Sequence, residues 1–507
     1  MAAERTPSST AKTAPGKPRD HAAALLASFD AGDVDAMETE AGQLLSVGGT
    51  PPDLLRLFAM LAEKVSADSV AEKFYNRLVK LNPTLPGQHR KLGEIQLRLG
   101  QRGAAMRTLN AALSVDKTDS VARTLLAGLL DDLGRQDEAR KHYRTVTEQN
   151  PEDAEAWLRL AQCYCATNRT EDGIAAFDKA IAIDPEKPVA HVGKAEALLA
   201  SGNFRLGWPE YTWRPGGKAT DASGKPVSRV PSFAGKRVLL RQEDHLSETV
   251  LGLRYAPLLR ESGARVTLAI DREYMPLLLD SDLSDDMIEP EAAEADCDIE
   301  MKLLTAACFL RAGEATQPLA SGYLNPVAKS PKVAEKGLRV GIALRAPGNR
   351  DETIPVARLR EVLTIPAPVS FISLENTGAE DFRSINWAEG RVKPANGDMD
   401  DPRQLAAALS EVDLVIAAGG DVGHIAGAMG IRCWVILPVN SNWMWGASGD
   451  RTPWYNSIRI FRQTVAGRWS KPLESLRKSL LTLATVTDDP AMTARSAPKP
   501  PRPSGES

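Results

Sequence analysis

The segment DLVIAAGGDVGHIAGAMGIRCWVILP (413–438) contains residue types that suit phosphate binding. Its pattern predicts a strand, a tight turn at Gly419 and Gly420, a helix that begins near Asp421, and a second strand. Free N–H groups at a helix N-terminus bind anions, and glycine lets a ligand approach the backbone, so the turn predicts a phosphate site. Asp421 opposes that role because a carboxylate in the first turn competes with an anion, and it serves equally well as the helix cap.

Three ionisable side chains lie where predicted strands lead into helices in the C-terminal half of the chain. His245 and Glu248 follow one strand, and His424 follows the glycine turn. Glu248 could act as a general base, or it could be a carboxylate that faces the positive end of its own helix. A lone histidine is more often a packed or surface residue than a catalytic one, and this alternative applies to both histidines.

The elements that must position these residues alternate between short apolar strands and helices. Strand, helix and strand at this spacing form a βαβ unit, and successive units form a parallel sheet. We predict two Rossmann-like halves, residues 236–330 and 331–486, with ligands bound in the cleft between them beyond the carboxyl ends of the strands. The predicted strands are 236–242, 264–270, 338–344, 369–375, 413–418 and 433–438.

The N-terminal part of the chain repeats with a period of 34 residues. Glycine recurs in phase at Gly100, Gly134 and Gly202, where a turn between two helices is needed. A hairpin of two short helices cannot bury its apolar face alone, so stacked hairpins share one continuous core. We therefore predict an α-helical repeat superhelix over residues 18–214, followed by the α/β region.

The predicted superhelix has a concave groove of the kind that binds extended peptides. We predict that this groove binds a protein partner, and the alternative for each of its residues is a solvated helix face. The candidate partner-binding residues are Arg90, Glu94, Thr124, Asp131, Glu155, Leu158 and Gln162.

Composition limits the class of protein. The chain has 507 residues, enough for two to four domains, and its net charge of −4 gives no sign of a nucleic-acid or anionic-membrane partner. The chain has no run of 18 apolar residues, so no membrane span is predicted. The five scattered cysteines favour a reducing, cytoplasmic location. Segments 1–17 and 487–507 are predicted to be disordered, and segment 215–235 is predicted to be a linker.

Two stretches and the order of the regions resemble a known family. A repeat array, a GWPEYTWR junction (207–214) and two Rossmann halves look like the bacterial tetratricopeptide-repeat glycosyltransferases of GT-B fold. Their C-terminal region is similar to heptosyltransferases and, more distantly, to O-GlcNAc transferase. The stretch NWMWGASGDRTPWYNSIRIFRQ (442–463) resembles the family pattern DWRW…SPWYPSMRLFRQ, and RYAPLLRESGARVTL (254–268) also matches.

The resemblance implies transfer of a sugar from a nucleotide-sugar co-substrate to a protein acceptor held by the repeats, as in bacterial flagellin modification. Inverting transfer needs a base and stabilisation of the leaving diphosphate, and no metal or other cofactor is expected. The candidate catalytic residues are Glu248 and His424. The candidate donor-binding residues are Gly419, Gly420, Asp421, Val422, Gly423, Arg345, Asn349, Arg350, Glu375 and Trp445. For the three loop residues 345, 349 and 350 the alternative is a solvated loop, and for Trp445 it is packing between the halves.

The chain departs from the family at positions that would approach a ligand. The family pattern QGLGDT is DHLSET here (244–249), so His245 and Ser247 replace glycines. The family pattern SVDTAVAHLAGALG is AAGGDVGHIAGAMG here (417–430), so an Asp-Thr pair is replaced by two glycines while His424 is retained. Two hypotheses follow: an active glycosyltransferase, and a scaffold whose glycosyltransferase-like domain has lost turnover but still binds protein partners.

Overall fold

The computed structural model describes residues 18–227, 229, 232–292, 297–310, 320–325, 337–344, 354, 356–376, 391–465 and 467–487. The chain divides into two compact units, Met1–Cys163 and Tyr164–Ser507. The predicted disordered arm 1–17 lies outside the described residues, as does the predicted C-terminal tail beyond residue 487.

The first unit is built from helical hairpins, which form because apolar residues recur on one face of each short helix. Its helices are α1 Pro18–Ala31, α2 Val34–Val47, α3 Pro52–Lys64, α4 Asp68–Leu81, α5 Gln88–Arg98, α6 Arg102–Val115, α7 Ser120–Asp132 and α8 Gln136–Gln149. Helix α9, Ala154–Ala166, contains the division between the units. Stacked rings of Phe29, Phe58 and Phe74 fill the core of the first hairpins, with Phe58 and Phe74 centroids 5.6 Å apart.

The period of 34 residues is visible in the backbone of the turns. The predicted turn glycines have left-handed φ angles of 71° at Gly100, 71° at Gly134 and 81° at Gly202. Ser66 and Asn168 occupy the same phase and adopt the same conformation, with φ angles of 58° and 59°. A left-handed residue ends a helix and redirects the chain, so the repeat holds this turn even where glycine is missing.

The second unit begins with helical hairpins of the same kind and continues into a five-stranded sheet. Its helices and strands up to residue 310 are α10 Thr170–Ile183, α11 Pro188–Ala200, α12 Phe204–Tyr211, β1 Thr220–Asp221, β2 Arg237–Arg241, α13 Leu246–Leu253, α14 Tyr255–Glu261, β3 Arg265–Ala269, α15 Met275–Leu278, β4 Asp286–Ile288, β5 Ile299–Lys302 and α16 Ala306–Phe309.

A six-stranded sheet follows. Its helices and strands are β6 Leu338–Ala343, α17 Arg360–Leu363, β7 Val369–Ser373, β8 Val392–Pro394, α18 Pro402–Ser410, β9 Leu414–Ala417, α19 Gly420–Ala428, β10 Cys433–Leu437, β11 Ile458–Arg462 and α20 Ser470–Thr487. Short 3-10 helices lie at Pro290–Ala292, Leu303–Thr305, Val356–Leu359 and Trp443–Trp445.

Both sheets are built on parallel pairing. The strand orders are β1-β5-β2-β3-β4 and β11-β10-β9-β6-β7-β8. Among the described strands, β1 runs antiparallel to β5, and the other paired strands are parallel. The six predicted strands coincide with β2, β3, β6, β7, β9 and β10, so the predicted combination of helical repeats with a parallel-sheet α/β region is confirmed.

One hydrophobic core joins the last helices of the repeat pattern to both sheets. Trp208 of α12 is buried, with its ring 6.2 Å from Tyr255 of the first half and 6.0 Å from Trp454 of the second half. Large aromatic contacts of this kind contribute strongly to core stability. Within the described part of the chain, no helix combines the length and the apolar character needed to cross a bilayer.

Candidate functional site

The candidate site lies where α13 packs against α19, a contact that we call the seam. Helix α13 follows the carboxyl end of β2, and α19 follows the carboxyl end of β9. Ligands of open parallel sheets bind at such carboxyl ends, so the seam is the place where a ligand of both halves would lie.

The turn that opens α19 depends on its two glycines. Gly419 and Gly420 have left-handed φ angles of 69° and 67°, which side chains with a Cβ atom rarely adopt. Among the residues that the structure describes, no side chain caps the N-terminus of α19. The backbone therefore has the shape that the sequence predicted, with free donors at the start of the helix.

Asp421 does not cap its own helix; its carboxylate lies beside the N-terminus of α13. The hydroxyl and the backbone N–H of Ser247 are near enough to lower the pKa of Asp421. Ser247 is the second residue of α13, so the carboxylate faces the positive end of that helix. Burial raises the pKa of Asp421, while Ser247 and the nearby His245 oppose the rise. The seam thus holds a carboxylate where an anionic ligand would need a donor.

Glu248 lies in the first turn of α13 and is half-buried. The Tyr211 hydroxyl of α12 donates a hydrogen bond of 2.7 Å to its Oε1. Burial raises the pKa of Glu248, and the bond from Tyr211 works against this. Glu248 therefore has the raised basicity of a general base, although its carboxylate already accepts a bond from the protein.

Glu196 of α11 adds a second carboxylate beside Glu248, and sequence analysis did not select it. Its side chain reaches solvent although protein surrounds it on most sides, as in a residue that lines a cleft. Burial, and then the charge of Glu248, raises the pKa of Glu196 to about 7. Together with Asp421, these residues make the cleft side of the seam acidic.

Replacing Glu196 with glutamine is expected to reduce the pH dependence of stability. Above its ordinary pKa of 4.5 the unfolded chain releases this proton, whereas the folded chain keeps it until about pH 7. The unfolded state is therefore favoured as the pH rises through this window, and the E196Q variant lacks that loss. Urea unfolding at pH 5 and pH 8 measures the difference, with E186Q at an exposed glutamate as the control. An unchanged pH dependence in E196Q would contradict the assignment.

The prediction that His424 is a catalytic residue is wrong. Its side chain is fully buried, with Nδ1 3.1 Å from the Tyr455 hydroxyl and its ring centroid 4.3 Å from that of Trp445. Burial, and then the charge of Arg254, lowers the pKa of His424 to about 3. A neutral imidazole enclosed by aromatic rings packs the interior and has no access to a substrate.

Four further donor-binding candidates are buried or half-buried. Trp445 is 1% exposed, and a Cβ atom on Gly423 would lie 3.1 Å from its ring. Gly419 is buried, and Val422 packs against the core of the second unit. Trp445 packs within the second half, against His424 and Gly423, because α19 is rich in small residues and lets the ring approach its backbone.

The remaining donor-binding candidates are one residue beyond β7 and three residues outside the described part of the chain. Glu375 lies two residues after β7, where its backbone carbonyl accepts a bond of 3.1 Å from the Ser373 hydroxyl. Arg345, Asn349 and Arg350 lie outside the described residues, so their predicted role in phosphate binding stays a prediction.

Sequence reasoning did not select Arg254, which joins the two halves. This residue is fully buried at the end of α13 and donates from Nη1 to the Trp454 carbonyl at 3.0 Å. Its guanidinium lies 5.0 Å from the ring centre of Tyr455 and 5.1 Å from that of Tyr323. The only signal in the sequence is its place in one of the two stretches that carry the family resemblance.

The predicted groove residues lie on α5, α7 and α9. Arg90 forms ion pairs with Glu94 at 3.6 Å and with Asp119 at 3.5 Å. Thr124, Asp131 and Gln162 are half-buried, and the exposed Glu155 pairs with Arg159 at 2.9 Å. Leu158 is 3% exposed and belongs to the core, so its prediction as a groove residue is wrong.

Comparison with known proteins identifies the repeats. A tetratricopeptide-repeat family model matches residues 124–188. The U-box domain-containing protein 70 of Oryza sativa subsp. japonica is 31% identical over 77 residues, which are 15% of this chain and 10% of that protein. The chain therefore spans about a tenth of the length of this relative.

Two solved structures are similar over about a third of the chain. MamA is 19% identical with a TM-score of 0.30, over 31% of this chain and 91% of that one. YrrB, described as a TPR protein with an unusual peptide-binding site, is 19% identical with a TM-score of 0.29, over 34% of this chain and 90% of that one. The family match and the phased turns show that the N-terminal region contains tetratricopeptide repeats, a module for binding proteins.

Proposed function

We propose that this protein binds a protein partner through its repeats, and that its α/β region is a glycosyltransferase-like module of GT-B type without sugar-transfer activity. One observation carries the second part of the proposal: residues that depart from the glycosyltransferase pattern face each other across the seam. Ser247 stands where the resembled family has glycine, Asp421 stands where its pattern has alanine, and the hydroxyl and N–H of Ser247 lower the pKa of the Asp421 carboxyl.

The residues that carry the family resemblance support the same conclusion. Arg254, Tyr255, Trp445, Trp454 and Tyr455 belong to the two matching stretches, and each is at most 1% exposed. Arg254 joins the halves through Trp454 and Tyr455, and Trp445 packs within the second half, so the features retained from the family are those that build the framework. The features that differ are those that would meet a ligand.

Charge works against donor binding in the described part of the seam. A nucleotide-sugar donor carries an anionic diphosphate, and the leaving group gains charge during transfer. Glu248 and Asp421 both lie near this position, and Glu196 lies beside Glu248. Like charges repel strongly where water is partly excluded, so an acidic seam disfavours both binding and departure of the diphosphate.

Release of nucleoside diphosphate from a panel of nucleotide sugars tests the proposal without knowledge of the acceptor. The panel contains uridine, guanosine, cytidine and adenosine donors, and the full chain is assayed with and without a candidate acceptor such as a flagellin-like protein. The proposal expects that, for every donor, nucleoside diphosphate is released no faster than with heat-denatured protein. Release above that rate, together with sugar mass on the acceptor, would overturn it.

A second candidate function is sugar transfer with Glu248 as the base. The observation that favours it is the half-buried Glu248 carboxylate, whose pKa burial raises and which Tyr211 orients at 2.7 Å. In this case the donor would use the backbone at Gly419 and Gly420, and an acceptor hydroxyl would lose its proton to Glu248.

If transfer occurs, the E248Q variant is expected to lower its rate by about 10²–10⁴-fold, because glutamine keeps the shape of the side chain and lacks its basicity. Donor affinity should change far less, since the base acts on the acceptor. Initial rates and donor titrations separate the two quantities, and E261Q at an exposed position of α14 is the control. Equal rates in E248Q and the native chain would remove Glu248 as the base.

A further inference from the structure

The first repeats contain a cavity that the predicted groove residues do not line. It lies between α3, α4 and α5 and has a volume of about 490 Å³. Its lining residues are Arg56, Met60, Glu63 and Lys64 from α3, Tyr75 from α4, and Gln88 and Lys91 from α5.

The lining carries more positive than negative charge. Its single carboxylate, Glu63, accepts a hydrogen bond from the Tyr75 hydroxyl and pairs with Lys91 at 3.4 Å. Lys64 is exposed and forms no ion pair with any residue that the structure describes. Arg56 reaches only the highly exposed Asp53, at 3.8 Å. The positive charge that stays available therefore belongs to Arg56 and Lys64.

Two buried polar atoms in the lining lack a partner among the described residues. Arg56 Nε is an unpaired donor, and Gln88 Oε1 is an unpaired acceptor on a side chain that is 8% exposed. Buried polar groups are almost always hydrogen-bonded, because leaving one unpaired costs free energy. An occupant that brings an acceptor for the arginine and a donor for the glutamine would satisfy both atoms.

The rim of the cavity adds an apolar surface. Met60 is 57% exposed and Leu57, on the same helix, is 48% exposed. Methionine adapts its shape to different apolar partners, which suits recognition of a side chain from another protein. The cavity thus combines positive charge, one unpaired donor, one unpaired acceptor and an apolar edge.

We propose that this cavity binds an acidic side chain, with an adjacent apolar residue, from an internal extended segment of the partner protein. The carboxylate would accept bonds from Arg56 and Lys64, the peptide N–H would donate to Gln88, and the apolar neighbour would cover Met60. Such a peptide supplies each group that the cavity lacks. Among the resulting contacts, the charge-assisted hydrogen bonds are the strongest. The proposal rests on the proposed binding of a protein by the repeats, and it names the chemistry of that partner.

Selection from a phage-displayed library of random heptapeptides tests the proposal on the full chain. One library displays the peptides within a loop and a second displays them with a free C-terminus. The native chain is compared with the R56A/K64A variant and with K141A/R144A, which removes two exposed cations of α8. Circular dichroism and thermal unfolding establish that the variants remain folded.

The expected result is enrichment of Asp or Glu beside an apolar residue in the loop library. Binding of a selected, labelled peptide should weaken about tenfold or more in R56A/K64A, the effect of losing a charge-assisted hydrogen bond, and stay unchanged in K141A/R144A. Replacing the acidic residue of the peptide with its amide should cause a similar loss.

The other outcomes separate this inference from the proposed function. Selected peptides without acidic enrichment, or with full affinity for R56A/K64A, would overturn the acidic site and leave partner binding by the repeats intact. Enrichment confined to free C-termini would overturn the internal segment as the occupant. Failure to select any peptide from either library would count against both.

Discussion

Replacing Arg254 with alanine is expected to lower the free energy of unfolding of the second unit by about 3–5 kcal/mol. The side chain is fully buried, and it donates to the carbonyls of Leu251 and Trp454, each at 3.0 Å. Truncation would leave both carbonyls without this donor and would open a cavity among the rings of Tyr323, Trp454 and Tyr455. Both effects act at the contact between the two halves.

Tryptophan fluorescence during urea unfolding measures this effect selectively, because eight of the nine tryptophans belong to residues 164–507. R265A, at an exposed position of β3, is the control and should change the free energy of unfolding by less than about 0.5 kcal/mol. An R254A variant as stable as R265A would show that the halves do not depend on this residue. The R254K variant should have a stability between those of R254A and R265A, since lysine keeps the charge and loses the planar array of donors.

Replacing Asp421 with alanine is expected to lower the free energy of unfolding of the second unit by about 1–2 kcal/mol. The change removes the carboxylate that faces the N-terminus of α13 beside the N–H and hydroxyl of Ser247, so α13 loses this electrostatic cap. The asparagine variant should be at least as stable as the native chain, because its amide oxygen can still accept a hydrogen bond. Asparagine also carries no charge to bury, and burial already raises the pKa of Asp421.

Fluorescence-detected unfolding of the D421A and D421N variants at pH 8 provides the test. The raised pKa means that ionisation of Asp421 in the folded state weakens stability as the pH increases, so D421N should gain relative to the native chain at high pH. The control is D286A, at an exposed residue of β4. Asp413 is not used as the control because it accepts a hydrogen bond from the Arg339 backbone N–H. Equal losses in D421A and D421N would contradict the cap.

The repeats and most of the sheet could be predicted from the sequence because their signals are local or periodic. Gly100 and Gly134 mark the turns, and the period keeps its phase at Ser66 and Asn168, where the residue type alone would not show it. Strand β11 was missed, since its alternation of arginine with apolar residues lies within a stretch noted for its aromatic residues.

The candidate site was less predictable because its contacts join residues that are distant in the chain. Nothing near Asp421 in the sequence indicates that its carboxylate reaches Ser247. His424 matched the family pattern, yet the small residues around it let aromatic rings close over the helix and bury the imidazole. Family resemblance located the important segments, and packing decided which side chains within them could meet a ligand.

Calorimetric titration of the full chain with uridine, guanosine, cytidine and adenosine diphosphates tests the central claim most directly. If Asp421 is engaged at α13 and the seam is acidic, no diphosphate should give saturable heat at concentrations up to about 1 mM, which corresponds to binding weaker than about −4 kcal/mol. Saturable binding with a Kd below about 100 μM, lost when Gly420 is replaced by valine, would contradict the claim and restore the glycine turn as a donor site.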